Sequence, residues 1–269
     1  MSQIDTSVPH PARRYNYWLG GKDHFAADRA SGDAIAEAFP IVVELARANR
    51  AFQRRCVGFL AEQGVRQFLD IGTGLPAPGN VHEVAQQVAP ESRVVYVDND
   101  AVVMTHARAL IRCHSRGRTA YLEADVCDPG SILHHPALLD TLDLRQPVGL
   151  LLVAVLHFVH DDDTAGRAVR ELIAALPAGS YVVVSHGTMD FSTPEGMDTY
   201  DKMFAAGGTD VKARTAEMLL DWFSGLEIIS PGLVPVNDWR PDDPGELETR
   251  DLNIYAAVGR VTNRAGSRP

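Results

Sequence analysis

Between residues 67 and 185, short and almost unbroken apolar runs alternate with segments whose apolar residues recur every three or four positions. Runs such as GLLLVAVL and YVVVSH leave no polar face, so they need cover on both sides, which a parallel sheet between two layers of helices provides. The periodicity predicts strands at 67–71, 93–98, 119–124, 148–156 and 180–185, with helices at 82–88, 101–114, 131–139 and 164–176 between them. An α/β fold follows, and all-β or all-helical architectures are excluded.

Outside this stretch the rhythm changes. From Pro40, the apolar residues Ile41, Leu45, Ala48, Phe52, Cys56, Phe59 and Leu60 mark one long amphipathic helix that Gly64 ends. Beyond residue 185, helices are expected at 197–205 and 214–223. The runs 226–230 and 254–261 then read as strands joined by VPVNDWRPDDPGE, with no helix between, so this pair is expected to be antiparallel. The expected organisation is a helical extension over residues 1–64, one α/β domain over 65–261 and a frayed tail at 262–269. With 25 Lys and Arg against 35 Asp and Glu the net charge is −10, which gives no long-range attraction to nucleic acid or anionic membrane. The longest apolar stretch, 149–159, is about half of the roughly 20 residues a membrane helix needs. The N-terminus has no apolar signal core, and the three cysteines form no C-x-x-C pair, so reduced thiols and a cytoplasmic address are expected.

The chemistry concentrates where strands end. Asp70-Ile71-Gly72-Thr73-Gly74 closes the first strand in a glycine turn, the place in an open parallel sheet where a ligand meets backbone N–H groups. Gly72-x-Gly74-x-x-Ala77 followed by Asp98 also reads as a dinucleotide fingerprint, so a nicotinamide dehydrogenase enters the comparison. Pro76 and Pro78 argue against it, because they delay the helix whose positive end a pyrophosphate requires. Asp98 ends the second strand, where its carboxylate can accept from two vicinal hydroxyls, with Asn99 beside it and Asp100 suited to cap the next helix. Asp125 and Val126 follow the third strand, placed for an adenine amine and an apolar ring contact, although Asp125 also suits the turn before Pro129. Three carboxylates at the ends of three neighbouring strands point to one crevice.

These motifs resemble those of class I S-adenosylmethionine-dependent methyltransferases. RYNYWLGGKDHFAADR (14–29), ARANRAF (46–52), RQFLDIGTGLP (66–76), VVYVDND (94–100), LLVAVLHFVHDD (151–162) and PGLVP with WRP (231–241) resemble, more closely, an uncharacterised bacterial methyltransferase family formerly known only as a domain of unknown function. The resemblance spans roughly residues 13–260. It implies a Rossmann-like fold with a seven-stranded, mostly parallel sheet whose last strand is antiparallel, and S-adenosyl-L-methionine as cofactor. Under it, Asp70, Gly72, Thr73 and Gly74 cradle the donor, Asp98 and Asn99 take its ribose, and Asp125 with Val126 takes its adenine. Pro76 departs from the general class, many members of which have a third glycine there.

The remaining groups divide between chemistry and structure. Methyl transfer is an in-line displacement at an activated carbon and needs a base only when the nucleophile arrives protonated. His157 and His186 follow the fourth and fifth strands on the cofactor edge and are the candidate catalytic residues, with satisfaction at a strand exit as the equal alternative. His157-x-x-His160-Asp161-Asp162-Asp163 has metal-ligand chemistry, but a loop capping the next helix explains it better, so no metal site is expected. Trp239-Arg240 reads as a structural contact of the late loop more than as a lid. The block Arg13 to Lys22 mixes cations with Tyr15, Tyr17 and Trp18; it either covers the methionine carboxylate of the donor, with Tyr17 at the site, or packs on the sheet edge. The combined reading is a cytoplasmic methyltransferase with a small-molecule acceptor and no nucleic-acid or membrane partner. The rival reading is a non-catalytic module that binds S-adenosylmethionine or S-adenosylhomocysteine. The oligomeric state is not legible.

Overall fold

The computed structural model describes residues 5–242 and 252–262. The segment 263–269 of the expected tail, and residues 243–251 of the late loop, lie outside it. The N-terminal part contains helices α1 (Pro11–Trp18), α2 (Ala26–Ala38) and α3 (Val42–Glu62). Strand and helix then alternate: β1 (Gln67–Ile71), α4 (Val81–Val88), β2 (Arg93–Asp98), α5 (Ala101–Leu110), β3 (Arg118–Glu123), α6 (Pro129–Leu133), α7 (Pro136–Leu139), β4 (Gly149–Val153), α8 (Asp162–Ala174) and β5 (Tyr181–Gly187). The chain continues through α9 (Pro194–Ala205), α10 (Ala216–Trp222), β6 (Leu226–Ile228), β7 (Val234–Pro235) and β8 (Ile254–Val261).

The strands form one sheet in the order β3-β2-β1-β4-β5-β8-β6, with β7 pairing to β8 beside that path. β1 to β5 pair in parallel, while β8 runs antiparallel to both β5 and β6. The reversal of strand order between β1 and β4 opens a crevice at the carboxyl ends, as it does in open α/β sheets generally. Each sheet face has its own core. Phe52, Cys56 and Leu60 of α3 pack with Phe68, Val94 and Leu151 on one side. Leu69, Val95, Leu150 and Val182 meet Ala165, Val169 and Leu172 of α8 on the other. No helix among the described residues is long and apolar enough to cross a membrane.

Three expected elements are shorter or broken, each for a local reason. The helix expected at 131–139 is two short ones, because Pro136 forces His135 into extended backbone, and the imidazole of His135 then caps α7. The helix from Ala101 stops at Leu110, where Ile111 turns extended. The strand expected at 148–156 ends at Val153: Ala154 adopts a left-handed φ of 52° and sends the chain into a tight turn at Leu156–Phe158. That turn brings His157 back toward the crevice.

Candidate functional site

A cavity of about 370 Å³ lies along the carboxyl ends of β1 to β5 and is roofed by α1 and by the segment 209–213. Its volume falls within the range of about 300–1,000 Å³ typical of small-molecule sites. One half of the floor belongs to β1, β2 and β3. Gly72 and Thr73 both donate backbone N–H groups to Val97 O, at 2.8 and 3.1 Å, which bends the chain after β1 across the end of β2. Gly72 has φ +75° and a Cβ there would collide with Val155, so this glycine serves the packing of β1 against the turn after β4. Gly74, at φ +65°, differs: a Cβ there would meet no atom within 4 Å and would project into open space at the cavity.

Asp98 is the pivot of this half. Its Oδ2 accepts from Gly74 N–H at 2.9 Å and its Oδ1 from Asp100 N–H at 3.0 Å. The residue is buried yet borders the cavity. Burial raises its pKa, and the two backbone N–H groups oppose that rise. Each oxygen retains acceptor capacity after its one backbone bond, so the carboxylate fits a vicinal diol presented from the cavity. Asn99, Asp125 and Val126 line the same end, and Asp125 turns one oxygen inward to accept from Cys127 N–H at 2.8 Å. Asp70 stands behind the turn, outside the cavity lining, where it accepts from the Thr73 hydroxyl at 2.9 Å. Burial pushes its carboxyl up to about 6, against the pull of that hydrogen bond and of Arg50. Its place is that of a residue holding Thr73, which does line the cavity.

The other half of the floor belongs to β4 and β5. Arg214, fully buried, donates to Leu156 O at 3.1 Å, Val159 O at 2.7 Å, Asp162 Oδ1 at 2.9 Å and His186 Nε2 at 3.0 Å. Arginine cannot accept, so His186 Nε2 is the acceptor and its Nδ1–H donates to Gly187 O at 2.8 Å. Both nitrogens of His186 are thereby committed, the ring is fully buried, and it does not reach the cavity. This corrects its assignment as a catalytic candidate: His186 is a strut between Arg214 and β5. His157 lines the cavity, and its Nδ1 accepts from Gly187 N–H at 3.3 Å. The acidic run after His157 caps α8 through Asp161, which accepts from Thr164 N–H, while Asp162 pairs with Lys212 and Arg214.

The N-terminal block supplies the roof by different residues from those expected. Tyr17 donates its hydroxyl to Asp33 at 2.7 Å and lies off the cavity, so the structure removes it from the expected cofactor contacts. Tyr15 and Trp18 line the cavity instead. Tyr15 begins a chain of hydrogen bonds that crosses the site. Its hydroxyl donates to Ala46 O and accepts from Asn49, Asn49 accepts from Ser185 at 2.6 Å, and Ser185 accepts from Ala154 N–H at 3.0 Å. Two of the block's cations are already engaged, Arg13 near Asp28 and Asp100 and Arg14 with Asp210. Arg50 of α3 also lines the cavity, yet its guanidinium donates only to neutral acceptors, Gln53, Ala77 O and Asn80. Sequence reasoning passed over Arg50, Asn49 and Arg214. The available signal for the first two was the polar stripe Asn49, Arg50 and Gln53 on a helix otherwise built for a core. Trp239 is buried edge-on to Phe52 and Phe59, with Arg240 stacked over Phe59 4.0 Å from its centroid, which bears out the structural reading of that pair.

Comparison with known families finds a match to the model of the S-adenosyl methyltransferases over residues 1–262. Among solved structures, a DUF574 family protein from Streptomyces avermitilis is similar at 46% identity with a TM-score of 0.91, over 96% of this chain and 100% of that one. A candidate methyltransferase from Thermobifida fusca is similar at 39% identity with a TM-score of 0.86, over 96% of this chain and 97% of its own. An O-methyltransferase family protein from Burkholderia thailandensis, 13% identical with a TM-score of 0.53 over 95% of this chain and 65% of that one, shares the fold. Comparison with curated proteins gives no match.

Proposed function

This chain belongs to the S-adenosyl methyltransferase family, and from that premise we propose that it methylates a small-molecule acceptor within the cavity at the strand ends. Asp98 accepts from the ribose hydroxyls of the donor, Asn99 borders the ribose, and Asp125 with Val126 flanks the adenine at the β3 end. Gly72, Thr73 and Gly74 back the remainder of the donor, and Asp70 fixes Thr73 for that purpose. The observation that carries this reading is the buried Asp98 carboxylate, with acceptor capacity to spare, beside a Gly74 that opens onto empty space.

The ordering of the strands orients the donor. With the adenine at β3 and the ribose at β2, the methionine end extends toward β1 and β4, where Arg50 is the cation without a carboxylate partner among the described residues. Arg50 pairs with the methionine carboxylate in this arrangement. Helix α1 closes over the donor through Tyr15 and Trp18. Bound S-adenosylmethionine supplies a methyl group activated by a sulfonium. Transfer would be an in-line displacement at that carbon, with the carbon–sulfur pair going to sulfur and any proton on the nucleophile released to bulk solvent as the product leaves. The chain's own contribution is to orient the two partners and exclude water, which in-line displacement rewards most. Three unpaired cysteines fit a cytoplasmic address.

Calorimetry with S-adenosylhomocysteine tests the reading. Asp98→Ala loses about 1.5–3 kcal/mol of binding free energy, the range for hydrogen bonds to a charged group. An unchanged affinity in the folded variant removes Asp98 from the site. A screen of metabolite extracts with methyl-labelled donor tests transfer itself, and tight donor binding with no labelled product returns the advantage to the non-catalytic binding module.

A further inference from the structure

The half of the cavity beside β4 and β5 has a definite chemical character. Its apolar lining includes Phe158, Met189, Tyr200 and Val211, with Trp18 and Phe39 from the N-terminal part. Many of its polar groups are engaged. Tyr200 donates to Val211 O and accepts from Ala213 N–H, the Thr188 and Thr209 oxygens accept from nearby backbone N–H groups, and Asp210 pairs with Arg14. Asn253 Oδ1, an acceptor, has no partner among the described residues. His157 offers a ring N–H. It is 7% exposed, and its Nδ1 lone pair is taken by Gly187 N–H, so the proton of the neutral ring sits on Nε2. Nε2 has no partner among the described residues, although the ring lines the cavity. The groups facing the ring are Asp210, Arg214 and His186. Burial, assisted by the Arg214 charge and resisted by Asp210, pushes His157 down to about 4, so it stays neutral at physiological pH.

We infer that the acceptor is an uncharged molecule with an apolar, ring-sized body that presents an oxygen lone pair to His157 Nε2–H, and that His157 is a fixed hydrogen-bond donor to substrate rather than a base. This rests on the proposed function, since it assigns the other half of the cavity to the methyl donor. A carboxylate or phosphate acceptor finds no unpaired cation on this half among the described residues, and burying its charge there is costly. The role also matches the chemistry, because displacement at a sulfonium asks for alignment before it asks for a base.

The test uses the complex with S-adenosylhomocysteine and three probes of one shape: 1-acetonaphthone, naphthalene and the anion 1-naphthoate. The ketone binds about five- to tenfold tighter than naphthalene, the increment of one hydrogen bond, and naphthoate binds no tighter than naphthalene at pH 7. His157→Phe abolishes the preference for the ketone, while His157→Gln, which keeps an N–H donor, retains part of it. Nitrogen-15 NMR of histidine-labelled protein reads the tautomer independently of any variant and shows Nε2–H with no titration above pH 5. A preference for naphthoate, an Nδ1–H tautomer, a ring that titrates near 6.5, or absence of probe binding to the loaded protein overturns the inference. Failure of S-adenosylhomocysteine itself to bind overturns instead the reading on which it rests.

Discussion

The two halves of the strand-end cavity are built by different means. On the β1–β2–β3 side, site groups come from residues within a few positions of their strands and are held by backbone N–H groups, as Asp98 is by Gly74 and Asp100. On the β4–β5 side, one buried cation, Arg214, reaches across 55 residues of chain or more to gather Leu156 O, Val159 O and, over a shorter span, His186. Local construction tolerates loss of one side chain, whereas a hub passes its loss to every group that it satisfied. A ligand recognised by fixed polar groups suits the first kind, and a variable, apolar partner suits the cavity wall that the second kind supports.

Breaking the hub gives the largest expected effect. Arg214→Ala leaves Val159 O and His186 Nε2 without their donor, takes one of two donors from Leu156 O, and costs about 3–5 kcal/mol of stability in thermal or urea unfolding. If the halves are independent, the affinity for S-adenosylhomocysteine of whatever folded Arg214→Ala protein remains close to that of the parent, while Asp98→Ala shows the reverse pattern, weak binding with near-normal unfolding. Equal damage to both properties in both variants dissolves the distinction.

The halves also titrate in opposite senses. His157 is depressed from 6.5 to about 4, so the unfolded chain takes up a proton that the folded one refuses, and stability falls as pH drops from about 6.5 to 4. His186, lowered by burial and by His157, adds to the same trend. Asp70 is raised from 3.8 to about 6, so the folded state holds its proton longer, and this contribution is lost as pH rises from 3.8 through 6. Each single group accounts for up to about 3 kcal/mol. Asp70→Asn therefore stabilises the protein at pH 7.5 relative to the parent and steepens its decline toward acid, while His157→Gln flattens that decline; urea unfolding across pH 4–8 measures both. The smallest effect is expected at Tyr17, whose hydroxyl meets only Asp33 at the surface, so Tyr17→Phe leaves affinity for S-adenosylhomocysteine unchanged.

The contrast between local and distant construction also explains what the sequence disclosed. Strand cores such as GLLLV, the antiparallel β8 and the carboxylates at the ends of β2 and β3 were legible because periodicity and strand-end position are short-range properties. Whether His157 or His186 faces the cavity was not, because the answer depends on Arg214, an arginine in a weakly patterned stretch with no mark of burial. The early end of β4 was hidden likewise: an apolar run does not reveal that Ala154 takes a left-handed φ of 52° within it. Tyr15 and Tyr17 are two residues apart on a helix and therefore face different ways, so composition alone pointed to the block and not to the residue within it that reaches the site.

A crystal structure of the complex with S-adenosylhomocysteine tests the division of the cavity most directly. The expected complex has the ribose hydroxyls within hydrogen-bond distance of the Asp98 carboxylate, the adenine beside Asp125 and Val126, and the thioether sulfur turned toward β4 with the space beside His157 left open. A nucleoside lodged against His157 and Gly187, with Asp98 touching only its own backbone partners, would contradict it.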